Sequence, residues 1–476
     1  MAKQKSGERF MRKRNFGIGI LAAILMLTSC GQTGKETQVT GETGEAPEWA
    51  NASAIYEVNI RQYTPEGTID AFAEHLDEIK DMGIDIIWLM PVHPISETKR
   101  SGKLGSYYSI TDYCEINPEF GTKEDFAELI ELAHEKEMHV MMDWVANHTG
   151  WDCEWITEHP DWYTQENGEI ISPKNMGWPD VADLNFDNKD MRKEMIDSMA
   201  YWVKEFDVDG FRCDYATGVP VDFWEEARTE LDKIKPVYML AEDGKTKALL
   251  NQAFDENYNW DLYDNMVAVA NGSKTADRLR LYLGKNYPEG TYPLNFLDNH
   301  DKNSYEGTIV ENFGTQGIPA FWTYLFTIPG QPLVYSSDEI GYDHAIAFME
   351  KDTIAWDKGT ADYRPLIKAL SEVRKNHPAL YAGTAGGEIT EIETGSKSMV
   401  AFSRTKDDDT VVVLINLSKN ELHLKGADFA DYANATVLIH GQADGAPETE
   451  SRKIDRSELQ DQTFAPWEYY VLSLDK

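Results

Sequence analysis

A regular beat limits the fold of this chain more than any other feature. Apolar, β-branched runs alternate with helix-patterned segments from residue 53 to about residue 380. Residues 53–60, 84–90, 138–143, 208–215, 237–242, 292–297 and 333–335 read as strands. Between the first two, residues 69–82 place Ile69, Phe72, Ala73, Leu76, Ile79 and Met82 at helical spacing. Residues 122–136 predict another helix, with Thr122 as N-cap and Asp125 three residues on. A last helix is expected around residues 366–374. Strands that alternate with helices pair in parallel, because the helix is the crossover. About eight such units over roughly 330 residues predict a closed (β/α)8 barrel, a TIM barrel.

Two stretches depart from the beat. Residues 148–183 have no helix or strand period and are rich in Trp, Asp, Asn, Gly and Pro. A loop of that length after a barrel strand is usually functional, so residues 149–182 read as a short inserted subdomain after the third strand, rimming the pocket. After about Tyr381 the pattern becomes short alternating runs (398–402, 410–415, 435–439, 469–474) separated by polar turns such as Lys406-Asp-Asp-Asp. These predict a C-terminal antiparallel β-sandwich domain over residues 381–476, behind a catalytic barrel over residues 51–380.

The N-terminus reads as a targeting segment. Arg9, Arg12, Lys13 and Arg14 precede an apolar run, residues 16–27, too short to span a bilayer as a permanent helix. Leu27-Thr28-Ser29-Cys30 resembles a bacterial lipobox. That resemblance implies cleavage of residues 1–29, lipidation of Cys30, and an exported protein anchored to a membrane at the periplasmic face or cell surface. Residues 30–50, rich in Gly, Thr and Glu, are expected to be a flexible tether. The formal charge of −37 becomes more negative once that basic segment is removed. Such a surface repels nucleic acid and anionic lipid headgroups and suits neutral substrates. Cys114, Cys153 and Cys213 remain. A bridge between Cys114 and Cys153 is open, whereas Cys213 reads as core packing, on the strand face opposite Asp214.

Four segments put chemistry at strand ends: Asp143-Trp-Val-Ala-Asn-His148, Gly210-Phe-Arg-Cys-Asp214, Met239-Leu-Ala-Glu242 and Phe296-Leu-Asp-Asn-His-Asp301. Arg212 and Asp214 share one strand face, and a fixed guanidinium favours an ionised carboxylate suited to attack an anomeric carbon. Alone, the pair reads more readily as a structural ion pair. The apolar lead-in to Glu242 predicts a carboxyl with raised pKa, as a general acid requires, or else a solvent-facing strand end. Asp301 is either a third carboxylate for sugar hydroxyls and positive charge, or a loop cap. His148 and His300 can donate to hydroxyls, and Asp143 can orient its neighbours. Joint placement at the ends of the third, fourth, fifth and seventh strands carries the argument, because TIM-barrel strand ends converge on one pocket. Paired carboxyls in such a pocket are equipment for glycoside hydrolysis.

In order, spacing and strand context these segments resemble the four ordered motifs of glycoside hydrolase family 13, the α-amylase family. The resemblance covers all but the first fifty or so residues. It implies Asp214 as nucleophile, Glu242 as acid/base and Asp301 as transition-state stabiliser, with Arg212, His148 and His300 contacting sugar. In Gly105-Ser-Tyr-Tyr-Ser-Ile-Thr-Asp112, Tyr108 matches the aromatic that stacks under the sugar at the cleavage point. Val181-Ala-Asp-Leu-Asn185 resembles a fifth family motif, in neither the form of the α-1,6-glucosidases nor that of the neopullulanases, which favours α-1,4 bonds. Asn147 and Asp183 match two family calcium ligands, and oxygen donors suit Ca²⁺. The family's Lys and His three and four residues after the nucleophile are here Thr217 and Gly218, so the downstream sugar subsite is altered.

The resemblance implies a retaining hydrolase of α-1,4-glucosidic bonds in starch, glycogen or maltooligosaccharides, its two carboxyls about 5–5.5 Å apart. Two other readings share the scaffold: a transglycosylase on the same substrates, and a non-catalytic glycan-binding surface lipoprotein. Retention of all three carboxylates speaks against the last.

Overall fold

The computed structural model describes residues 46–283, 287–424, 435–443, 447–454 and 462–474. The segment read as a signal, Cys30 and most of the expected tether lie outside these residues. The last residues of that tether are packed: Glu48–Ala50 forms a helical turn with Ala50 buried, and Trp49 stacks on His139 with ring centroids 3.8 Å apart. No helix among the described residues is long and apolar enough to cross a membrane.

Eight parallel strands close into a barrel: β1 (Ile55–Val58), β2 (Ile86–Leu89), β3 (His139–Trp144), β4 (Gly210–Cys213), β5 (Tyr238–Ala241), β6 (Glu256–Tyr258), β7 (Tyr292–Phe296) and β8 (Gln331–Tyr335). Each pairs with its sequence neighbour, and β8 returns beside β1 with Ile55 opposite Leu333. All but one residue of these strands are buried, because helices cover the outside and side chains fill the inside. The expected helix over residues 69–82 is two helices, Ile69–Ala73 and Leu76–Asp81, parted where His75 packs edge-on against Tyr63. Its apolar stripe is still buried at Ile69, Phe72, Leu76, Ile79 and Met82. Lys123–Glu135 opens on the predicted cap: the Thr122 hydroxyl accepts from the Asp125 N–H, and the Asp125 carboxylate accepts from the Thr122 N–H.

The insertion after β3 is held by a short antiparallel pairing of His148–Gly150 with Val181–Asp183, so both ends of the loop return to the barrel mouth. Beyond the last barrel helix, Arg364–Asn376, stands a six-stranded antiparallel sheet: β9 (Glu388–Glu391), β10 (Met399–Lys406), β11 (Asp409–Asn416), β12 (Ala435–Gly441), β13 (Arg452–Ile454) and β14 (Tyr469–Ser473), in the order β9-β10-β11-β14-β12-β13. Period-two alternation splits its side chains. Val400, Phe402, Val411, Val413, Ile415 and Val471 join the barrel's core, whereas Met399, Ala401, Val412, Leu414 and Leu472 form a second core with Phe464 of a two-stranded sheet. The Cys114, Cys153 and Cys213 thiols are free, so the bridge between Cys114 and Cys153 is absent; Cys213 is fully buried in the core, as its strand position predicts.

Candidate active site

The strand ends fix the carboxylates. The Asp214 N–H donates to the Trp144 carbonyl (2.9 Å) and the Glu242 N–H to the Cys213 carbonyl (3.0 Å), which extends the barrel ladder one residue beyond β4 and β5. Asp301 sits in the first turn of the helix His300–Glu306 after β7, where Asn299 caps by accepting from the Lys302 N–H. A cavity of about 360 Å³ opens at this mouth. Tyr108, His148, Asp214, Glu242, His300 and Asp301 all line it. Arg212 lies beneath, fully buried. Asn147 and Asp183 do not line it.

Arg212 organises the floor. One Nη donates to Asp143 Oδ1 (2.9 Å) and Asp214 Oδ1 (3.0 Å), and the other reaches Glu242 Oε2 at 3.1 Å. Its Nε donates to the Tyr258 hydroxyl at 3.2 Å. Asp143 also accepts from the Trp88 indole (3.2 Å) and the Tyr108 hydroxyl (3.0 Å), so it holds both the guanidinium and the aromatic wall. Burial raises its carboxyl to about 6 against the pull of Arg212 and His300. The Asp214 side chain is 13% exposed, that of Glu242 21% and that of Asp301 41%, an order that follows depth in the cavity.

Burial and then the facing Glu242 charge push Asp214 up, with Arg212 opposing. The expectation that Arg212 keeps Asp214 ionised is therefore corrected: one guanidinium serves three carboxyls, and burial together with the facing Glu242 works against it. The enclosure expected for Glu242 is partial, since its Oε2 also accepts from the Tyr215 N–H at 2.7 Å.

On the opposite wall His300 Nδ1 bonds the buried Glu57, and its Nε2 lies 3.1 Å from the Tyr108 hydroxyl and 3.5 Å from Asp301 Oδ2. Burial works against a charge on this ring, but Asp301 and Glu57 outweigh it and raise its pKa to about 9. Near neutral pH His300 is thus an imidazolium. His148 is the reverse: burial lowers it to about 4, which leaves a neutral ring beside Trp178.

Asn147 and Asp183 come together at the foot of the insertion, where Asp183 pairs with His148. The Asn147 amide nitrogen is engaged with His148 Nδ1 at 3.1 Å, and Asp183 feels the Thr164 hydroxyl and the Lys174 ammonium. No cluster of three His, Cys, Asp or Glu able to hold a metal occurs among the described residues, whereas Ca²⁺ takes six to eight oxygens. A calcium ion at Asn147 and Asp183 would need further oxygens from carbonyls or water, and no chemical step is assigned to a metal.

Several cavity residues escaped sequence reading. Trp178 and Asp180 come from the irregular insertion, Tyr215 follows Asp214, and Tyr305, Phe348 and Met349 rim the far side. Glu57 had a signal, a lone charge within the apolar strand Ile55–Val58.

The model of the α-amylase catalytic domain matches residues 8–377. The chain belongs to the α-amylase family. Among curated relatives of this α-amylase-family chain is the α-amylase MalA of Haloarcula japonica, 30% identical over 423 residues. That match covers 84% of this chain and 60% of the relative, so the chain spans about three fifths of MalA's length. Two solved structures superpose with TM-scores of 0.77: the maltogenic α-amylase AmyB of Thermotoga neapolitana, 27% identical, and an α-amylase of Lactobacillus plantarum, 28% identical. The first match covers 89% of this chain and 99% of AmyB, the second 90% of this chain and all of the other.

Proposed function

We propose that this protein is a retaining α-glucan hydrolase that cleaves α-1,4-glucosidic bonds of starch, glycogen or maltooligosaccharides by double displacement. The observation that carries the reading is the gathering of Asp214, Glu242 and Asp301 around one cavity at the barrel mouth. The carboxyl of Glu242 donates its proton to the leaving glycosidic oxygen while Asp214 attacks the anomeric carbon. The C–O bond to the leaving sugar breaks and an ester to Asp214 forms. Glu242, now a carboxylate, takes a proton from water. The water oxygen bonds the anomeric carbon, and the ester electron pair returns to Asp214. Two carboxyls on the two arms of one guanidinium are close-set, which favours this course over inversion. Asp301 and His300 face the same ring, a carboxylate and an imidazolium placed for its hydroxyls and its developing positive charge. The carboxylate excess in the cavity suits an oxocarbenium-like transition state.

The test is a time course on soluble starch, maltooligosaccharides and pullulan. Mixed short oligomers early support endo-acting α-1,4 hydrolysis. Glucose alone indicates an exo-glucosidase, products longer than the substrate indicate a transglycosylase, and binding without turnover indicates a glycan-binding protein.

The N-terminal sequence supports a second proposal, that the protein is exported and lipid-anchored through Cys30. Mass spectrometry of the mature protein checks it: a diacylglyceryl group on Cys30 supports anchoring, and an unmodified or uncleaved N-terminus overturns it.

A further inference from the structure

We propose that Tyr215 and Trp178 form the platform for the sugar on the leaving-group side of the scissile bond, and that the bare position at Gly218 seats the Tyr215 ring. The inference rests on the hydrolase reading above and names residues that determine its specificity.

Tyr215 follows the nucleophile at φ 39° and ψ 49°, a left-handed conformation that an aromatic residue adopts only at a cost. Two contacts exploit that turn. The Tyr215 N–H is presented to Glu242 Oε2 at 2.7 Å. The ring folds back over Gly218, where an added Cβ would stand 2.3 Å from Tyr215 Cε1 and 2.4 Å from its Cδ1. No side chain at 218 is compatible with the ring in this place. The glycine four residues after the nucleophile, a departure from the family motif, and the tyrosine directly after it are therefore one device.

From this seat the Tyr215 ring meets Trp178 edge to face, with centroids 5.4 Å apart and planes at 89°. Its hydroxyl points to Met176 Sδ at 3.7 Å. Both rings line the cavity with Glu242. The side is set by chemistry. Glu242 must reach the leaving oxygen, and Tyr215 is bonded to Glu242, whereas Tyr108, His300 and Phe348 stack together on the other wall. The sugar that departs is the one beside Tyr215. Where the family places a cationic contact, Thr217 carries only a hydroxyl, 3.1 Å from that of Thr246. Aromatic faces take the apolar C–H face of a pyranose, so recognition on this side passes from charge to stacking.

The test compares two substrates that share their upstream sugars. Maltopentaose places sugar on the platform; α-maltosyl fluoride expels fluoride and leaves it bare. The readout is the ratio of kcat/KM for the first to that for the second. In Tyr215→Gly, which keeps the N–H and tolerates the left-handed backbone, the ratio falls roughly tenfold. Trp178→Ala, in a half-buried loop position where folding is not at risk, lowers it similarly. Gly218→Ala keeps the tyrosine but denies it its seat, and lowers the ratio too. Tyr215→Phe preserves it. Variants that slow both substrates by one factor, or that leave the ratio where it was, overturn the platform while the hydrolase reading stands. A wild-type protein that cleaves neither substrate overturns both.

Discussion

Arg212 carries the charge balance of the site. Removing it leaves Asp143, Asp214 and Glu242 facing one another without the guanidinium that pairs with all three. Arg212→Gln is expected to cost about 3–5 kcal/mol of stability, because unpaired buried charges are severely penalised. A urea midpoint close to wild type would contradict this. Asp214 shows the opposite balance. Burial and Glu242 raise its carboxyl above the unfolded value, so its contribution to stability is fully present below about pH 4 and is lost as pH rises through the folded pKa. Asp214→Asn removes that penalty. Its melting temperature should exceed wild type at pH 7 and converge with it toward pH 4, while kcat falls by a factor of about 10⁴ or more. Retained turnover of more than a few per cent would argue against the nucleophile. His300 gives a third titration. With a folded pKa of about 9 against about 6.5 unfolded, its contribution is complete below pH 6.5 and disappears as pH rises through 9. Glu57→Gln withdraws one of the two charges that hold the proton. The decline in melting temperature and the alkaline limb of kcat/KM should both move to lower pH, and a profile unchanged from wild type would remove Glu57 from this role.

At the scale of elements, the helix Lys123–Glu135 depends on a reciprocal cap that the sequence announces. Thr122→Ala should destabilise by about 1 kcal/mol, read from the urea midpoint. A shift below a few tenths would mean that tertiary packing alone fixes this helix. What was legible in the sequence follows local physics. Long apolar runs gave seven barrel strands, because parallel strands buried on both faces leave no polar alternation to confuse them. The sixth, Glu256–Tyr258, was not legible: it has three residues and opens on a charged one, and its burial depends on Tyr238 donating to Glu256 at 2.7 Å from the neighbouring strand. Arg212, Asp214, Glu242 and Asp301 were readable because each lies in or just beyond an apolar strand run. Trp178 and Phe348 were not, since loops without a period carry no local sign of where they fold back, and Tyr305 sits on a seven-residue helix too short to show one. The calcium ligands raise a related point. Two matching residues do not reveal whether other donors stand around them, and here Lys174 stands near Asp183.

At the scale of the whole molecule, the barrel and the C-terminal sheet are joined by buried guanidiniums as well as apolar side chains. Arg404 of β10 donates to the carbonyls of Leu380 (3.0 Å) and Tyr381 (2.7 Å), and Arg374 of the last barrel helix to those of Leu380 (2.7 Å) and Gly330 (2.7 Å). Phe321 of the long barrel helix Ile309–Thr327 lies 5.9 Å from Trp467 beside β14. A chain ending at residue 386 would bare that apolar face and leave Arg374 without the wall that excludes water. It is expected to self-associate or stay insoluble, as size-exclusion chromatography would show. A monomeric, active truncated protein would mean that the barrel stands alone. The pairing of β1 with β8 also sets a timetable for synthesis. The strand that shuts the ring emerges from the ribosome after every other stave, so until Gln331–Tyr335 is made the growing chain holds two bare sheet edges and an unfinished basin at its mouth.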